Sequence, residues 1–466
     1  MRRSAMNENQ RHGTLASSTP SPSSLIDDTA NDQASVAQIS PSPPPQSEGH
    51  RIGGLRITLM LLGVMIALPA FTMGANLSHA LGVVGGIRAS LLGGAILAAV
   101  ALPAAIAGAR SRRTSYELIQ QAFGQTGGKV VNVVIVVAIL GWFGVIAMMF
   151  GQAMLPMLLP VMPSVSTAWV AFAGCLLMTL VSAIGFRALD ILSLLASPFK
   201  IAVLVWTAVV AMHRMSWHEV LRMQASHDFS VMTGISMVVG GLVGGAMLAP
   251  DITRFARTST QAAIACVLGY GLFFPLVLTL AGIPSVAAGQ TDLVVVMLAL
   301  GLGLPAMLSV VLIAVTTNAF NLYASSLILV TTVPGRSRWK LSLIAAAIGT
   351  VAGLAGISER VIPYLIVMSI SIPPIAGVYL THHYLTCGWR VYRAPASPPA
   401  WRGAAFVAWG VGSGVAWAGH VSGWTMTGIA PLDALFASCA LYVTYLVIRR
   451  YVGMRRSASQ VPCENL

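Results

Sequence analysis

The sequence predicts an all-α polytopic membrane protein of twelve transmembrane helices, built as an inverted five-helix repeat with helices 1 and 6 broken. Three observations predict it. Apolar runs long enough to cross a bilayer recur along the chain, basic residues collect on alternate connections, and two runs five spans apart are interrupted. The chain has 466 residues, 56% of them hydrophobic and 9% charged, whereas roughly a quarter are charged in a soluble domain. Runs of about 18 or more apolar residues, enough to span a ~30 Å hydrocarbon core as a helix, recur from Ile57 to Ile448. Buried helices of a soluble protein are excluded, because so many such runs leave too little polar sequence for a surface.

Residues 1–50 are rich in Ser, Pro, Gln and Asn and end in "SPSPPPQSEGH". They have little to bury, so a disordered cytoplasmic tail is expected. Without an apolar stretch they are not a secretory signal. Twelve spans follow at 56–81, 88–109, 128–154, 166–185, 188–212, 230–255, 260–283, 302–332, 339–357, 359–384, 402–420 and 430–450. The stretch "TDLVVVMLALGLGL" ahead of span 8 is too short to cross, and a short helix along the outer surface is expected there. The resulting division is a transporter core at 51–385 (helices 1–10 as two inverted repeats), helices 11–12 at 386–450, and a basic cytoplasmic C-terminal tail at 451–466.

Charge sets the orientation. With the N-terminus inside, the inner segments hold Arg51, Arg56, Arg110, Arg112, Arg113, Lys129, Arg187, Arg254, Arg257, Arg336, Arg338, Lys340, Arg390, Arg393, Arg402, Arg449, Arg450, Arg455 and Arg456. The outer segments hold Arg88, Arg214, Arg222 and Arg360. Cytoplasmic loops carry the excess of Lys and Arg, so both termini are expected in the cytoplasm and the span count is even. The net charge of +13 is therefore a topology signal spread along the chain, not a nucleic-acid patch. The five cysteines (Cys175, Cys266, Cys387, Cys439 and Cys463) lack metal or redox spacing and read as small apolar residues.

Span 1 is interrupted around "ALPAFTMGAN" and span 6 around "VVGGLVGGAMLAPD". Irregular backbone at membrane depth is tolerated only where it is buried in protein or lines a cavity. Paired interruptions in corresponding places of two halves are the best sequence pointer to a transport site. Close helix packing is the competing reason for such glycines, but it does not explain the five-span offset.

Four strings carry a family resemblance: "GWFGVIAMMFG" (Gly141–Gly151), "GGAMLAPDITRFAR" (Gly244–Arg257), "TTNAFNLYASSL" (Thr316–Leu327) and "SISIPPIAGVYLTHHYL" (Ser369–Leu385). In this order they resemble the nucleobase:cation symporter-1 family, most closely its bacterial cytosine permease branch. The resemblance implies a leucine-transporter-like fold with alternating access. It also implies a bacterial inner-membrane location and a nucleobase-like substrate bound among helices 1, 3, 6, 8 and 10.

A flat heteroaromatic needs a stacking face and a few polar groups at its edge. Trp142 in span 3 offers the face, and by resemblance it matches the tryptophan that stacks on substrate. The edge-reading positions depart from the family. A glutamine three residues before that tryptophan is Ile139 here, a Ser-Phe pair at the span 6 break is Gly241-Leu242, and an asparagine before the Thr-Thr pair of span 8 is Ile313. Each change removes a hydrogen-bonding or stacking group, so a less polar heteroaromatic, or a pyrimidine or purine derivative, fits as well as cytosine. Backbone freed near Ala67, together with Thr72 and Asn76, remains available to substrate. Asn318 and Asn321 are candidates either for substrate contact or for cross-linking helices.

For the coupling ion, the resemblance places the hydroxyls of Thr316 and Thr317 at a sodium site with carbonyls near Gly63 and Ile66; back-bonding to their own helix is the competing reading. Lys200, deep in span 5, changes this expectation. A central lysine costs about 2.5–3.5 kcal/mol to insert, so it should face a cavity or a partner. About 18 Å of helix separates it from Arg187, too far for snorkelling. Its position resembles the span 5 lysine of proton-coupled amino-acid transporters of this fold, in which an ammonium replaces sodium. Lys200 is expected to point at Thr316 and Thr317, with Na+ or H+ as the coupling ion and no other cofactor or metal.

Asp251 and Arg254 are expected as a local i,i+3 pair or an inner gate contact. His213, His218, His227, His382 and His383 are expected to be solvated, and Pro373-Pro374 to kink span 10. The spans hold no nucleophile–base pair or metal cluster, so an enzyme is not expected. A channel would need repeated polar rings. A non-transporting sensor of the same fold would bind without flux. The partners expected are a small heteroaromatic and the lipid bilayer.

Overall fold

The computed structural model describes residues 51–214, 218, 229–333, 335–387 and 399–458. The expected N-terminal tail, the end of the C-terminal tail, and Arg222, His227, Arg390 and Arg393 lie outside the described residues.

Helix α1 (Gly54–Met65) and α2 (Leu68–Ser111) share the first apolar run. At about 1.5 Å per residue, the 44 residues of α2 are far longer than one crossing. The helix turns back at Gly82, whose φ of 69° and ψ of 164° are non-helical and favoured by the absence of Cβ. Residues Leu68–Leu81 thus complete span 1, and span 2 runs from Val83. A short helix, α3 (Ser115–Phe123), follows; sequence reading missed it. It is announced by a capping box, in which Thr114 and Glu117 satisfy each other's backbone N–H groups.

The next elements are α4 (Gln125–Leu158), α5 (Thr167–Ile184) and α6 (Phe186–Arg214). Span 6 is α7 (Val231–Met247) and the four-residue α8 (Pro250–Thr253). Span 7 is α9 (Ser259–Cys266) and α10 (Phe274–Ala288), joined by a π-helical stretch. The expected short helix is α11 (Leu293–Ala299); Val294, Val296 and Met297 bury its inner face. Then come α12 (Gly303–Thr332), α13 (Arg338–Ala352), α14 (Val361–Cys387), α15 (Gly403–Ser422) and α16 (Ala430–Ala458). Both prolines of span 10 stay inside α14, which continues through them.

Among the described residues nine helical stretches are long and apolar enough to cross a membrane, with α1 and α7 as shorter apolar helices. The twelve expected spans fall on these nine, on α1 and α7, and on α15, with α2 carrying parts of two. One hydrophobic cluster runs through nearly all of the spans. Large apolar side chains such as Val137, Leu180, Leu195 and Val351 lie 64–70% exposed in mid-helix. That is the inside-out surface a bilayer requires. Small residues let backbones meet: a Cβ on Gly74 would lie 2.2 Å from the carbonyl oxygen of Leu278, which locks the second half of span 1 to span 7.

Candidate functional site

The break in span 1 follows from hydrogen-bond accounting. Pro69 has no N–H to give Met65, four residues back. The N–H of Ala67 turns to Met65 O, and that of Ala70 to Ala67 O. Gly63 O and Ile66 O therefore lose their usual i+4 donors. Ala67 is extended and buried, with φ −124° and ψ 156°.

Lys200 answers one of these carbonyls. It is 1% exposed, and its Nζ donates to Gly63 O at 3.2 Å and to Thr316 Oγ1 at 2.5 Å. The Thr316 hydroxyl in turn donates to Leu312 O. Three spans thus meet at one ammonium: span 1 through its freed backbone, span 5 through the lysine and span 8 through the threonine. Thr317 does not join them, and its hydroxyl is buried without a partner.

The break in span 6 lies later than expected. The glycines from 240 to 245 stay helical inside α7, and the chain turns at Leu248-Ala249, just before Pro250. The N–H of Asp251 bonds Leu248 O, which withdraws the usual donor from Met247 O. Tyr379, 1% exposed in span 10, donates its hydroxyl to Met247 O at 2.5 Å. Each break is therefore held by the fifth helix of its own repeat: span 5 serves span 1, and span 10 serves span 6. Sequence reading missed Tyr379, although a phenol five residues after a proline pair in the expected fifth helix of the repeat was a visible signal.

The remaining candidate positions fall in two groups, one where spans 3 and 10 meet and one where span 6 meets spans 1 and 10. Trp142 is half-buried and near-parallel to Tyr364 of span 10, with ring centroids 6.4 Å apart and planes at 19°. Tyr364 packs on Gly141, and its hydroxyl donates to Ala138 O. Ile139 lies half-buried beside them. Gly241 faces span 1: a Cβ there would meet the Met73 methyl. Leu242 is half-buried, a Cβ on Gly240 would meet nothing, and one on Gly244 would first reach Ile372 of span 10. Thr72 is half-buried and Asn76 exposed on the same helix as Met73.

The other residues singled out in the sequence are placed as follows. Ile313 is a core residue, 1% exposed. Asn318 is fully buried and cross-links helices: its Nδ2 donates to Phe143 O at 2.9 Å and to Met178 Sδ, while Asn321 donates to its Oδ1. Its amide is thus committed to joining spans 3, 4 and 8, where a buried polar group must find partners. Asp251 does not pair with Arg254. Its carboxylate accepts from Ser115 N–H (2.8 Å) and Ser115 Oγ (2.6 Å) at the start of α3, where helix N–H groups favour an anion. His382 and His383 are buried, at 3% and 4% exposure, and His382 pairs with Tyr442; His213 and His218 are exposed.

At the N-terminal ends of spans 1 and 5, Arg56 forks onto Asp190, with Nε 3.0 Å from Oδ1 and a second bond from Nη2 to Oδ2. Beside it Ile52 bridges Ala256, and the Arg112 guanidinium donates to the carbonyls of Arg254, Ala256 and Arg257.

Broken first and sixth helices, each clamped by a fifth, define a secondary-active transporter of the leucine-transporter architecture. The chain belongs to the family described as permease for cytosine/purines, uracil, thiamine, allantoin, whose profile matches residues 46–430. It is 29% identical over 433 residues to the cytosine permease of Escherichia coli strain K12, covering 91% of this chain and 97% of that protein. Among solved structures it is similar to Mhp1, a nucleobase-cation-symport-1 family transporter in a closed conformation with bromovinylhydantoin bound. That match has a TM-score of 0.76 at 16% identity, over 90% of this chain and 96% of the other. A Na+-coupled sialic acid symporter matches with a TM-score of 0.64 at 12% identity, over 90% and 95%.

Proposed function

We propose that this chain imports a nucleobase or related flat heteroaromatic by proton-coupled symport, with both termini in the cytoplasm of a bacterial inner membrane. Family membership and the cytosine permease relatives support the substrate class. Trp142 supplies the stacking face, and the apolar Ile139 beside it favours rings with fewer edge donors than cytosine.

The observation that carries the coupling reading is Lys200 Nζ between Gly63 O and Thr316 Oγ1. A sodium ion at this break would need those same hard oxygens, and the ammonium already uses them. Its charge-assisted bonds are roughly twice as strong as neutral ones. While Nζ is protonated, α1 is held to spans 5 and 8. Loss of the proton loosens that hold and lets α1 swing, so proton release and substrate release share one step.

Uptake by purified protein in proteoliposomes tests this. An inside-alkaline gradient should drive accumulation and a sodium gradient alone should not. Lys200→Met should bind substrate in a thermal-shift assay yet lose the response to the proton gradient. Sodium-driven accumulation by the unmodified protein, or an unaltered pH response in the variant, would overturn the coupling reading while leaving the substrate class standing.

A further inference from the structure

We propose that the hollow between the ends of α14 and α16 holds the headgroup of an anionic phospholipid. The hollow measures about 250 Å³ and is lined by Leu385, Thr386, Leu446, Arg449 and Arg450. The apolar stretches of both helices stop there, at Thr386 and Tyr451, so it lies at the depth where hydrocarbon gives way to phosphate. Its floor is apolar: Leu446 is 6% exposed. Val447 and Ile448, each 57% exposed, present the adjoining helix surface to acyl chains.

The polar side of the hollow is cationic. Arg450 donates from Nη2 to Leu385 O, one of the five donors its guanidinium carries. Neither Arg449 nor Arg450 forms an ion pair with a described carboxylate. Guanidinium forks match phosphate oxygens in a bidentate manner. A zwitterionic headgroup would bring a cation of its own into a hollow whose described lining holds no carboxylate to receive it. Free phosphate would satisfy the arginines but leave the apolar half unused, so the combination selects a phosphodiester joined to a lipid.

The test exchanges the full chain into nanodiscs of phosphatidylcholine and phosphatidylglycerol in equal parts and counts retained lipid by native mass spectrometry. The unmodified protein should retain phosphatidylglycerol in preference. The double variant Arg449→Gln/Arg450→Gln should lose that preference by ~30-fold, given the attraction of each arginine near an anionic surface, and Arg88→Gln should keep it. No preference in the unmodified protein, or equal loss in Arg88→Gln, would overturn the proposal. Displacement of the lipid by millimolar inorganic phosphate would do so too, by assigning the hollow to a free anion.

Discussion

A buried ammonium held by neutral oxygens is a costly arrangement, because an ion removed from water needs compensation. Lys200 was legible in the sequence, since a charge that cannot reach the surface must have an internal partner. Which threonine it meets was not legible: Thr316 and Thr317 are adjacent, and helix rotation alone decides between them. Trp142 stands out in the sequence for a different reason, as a large ring flanked by glycines in mid-span, and its stacking role is a proposal. Stacking of a base on an aromatic ring is worth about 1–3 kcal/mol. Trp142→Ala should therefore weaken substrate binding by roughly tenfold or more in a thermal-shift or calorimetric titration, with Trp142→Phe losing less. Equal affinities in all three proteins would remove the indole from the site. Asn318 shows where residue-level reading fails. Its type fits a ligand contact as well as a cross-link, and only the opposing Phe143 carbonyl, distant in sequence, distinguishes them.

At the scale of elements, both interruptions trace to a proline that cannot return an N–H to the preceding turn. The glycine-rich run of span 6 drew attention away from Pro250, because glycine weakens a helix without ending it. Tyr379 then does for the second break what Lys200 does for the first. Tyr379→Phe should leave Met247 O buried without a donor, at a cost of about 1–3 kcal/mol, read as lower thermal stability together with slower uptake. A variant as stable and as active as the parent would show that the carbonyl finds another donor. The contact of Gly74 with Leu278 is less forgiving, because a Cβ would strike main chain. Gly74→Ala should destabilise the protein by about 1–3 kcal/mol or more, seen as a fall in melting temperature in detergent. The short α3 could have been found from its capping box, a local signal overshadowed by the long apolar runs on either side.

At the scale of the whole molecule, apolar runs, charge asymmetry and the five-span offset of the breaks made the architecture readable. The lateral arrangement of the helices was not, because lipid-facing and protein-facing apolar residues look alike in sequence. The pairing of spans 1 and 5 at their N-terminal ends depends on Arg56 and Asp190, neither of which stands out alone. Arg56 is 43% exposed at its side chain, so solvent screens the pair and its worth is at most about 1 kcal/mol. That is still enough to bias two conformations that lie close in energy. Asp190→Asn should raise the labelling rate of a cysteine placed at Ser193, which neighbours Gly63 in span 5, by roughly fivefold from the Asp190 side. An unchanged rate would mean that the Arg56–Asp190 pair does not control access from this end.

The pairing of Ile52 with the residues around Ala256 has a bearing on how α1 can move. Ile52 N–H bonds Phe255 O at 3.0 Å, and Arg257 N–H bonds Ile52 O at 3.2 Å, only two residues before α1 begins. Through them the entry to α1 is fastened to the turn that follows span 6. Under the proposed cycle the first rod cannot tilt at this end without breaking main-chain pairing to the second repeat, so the two halves are coupled at their starting points.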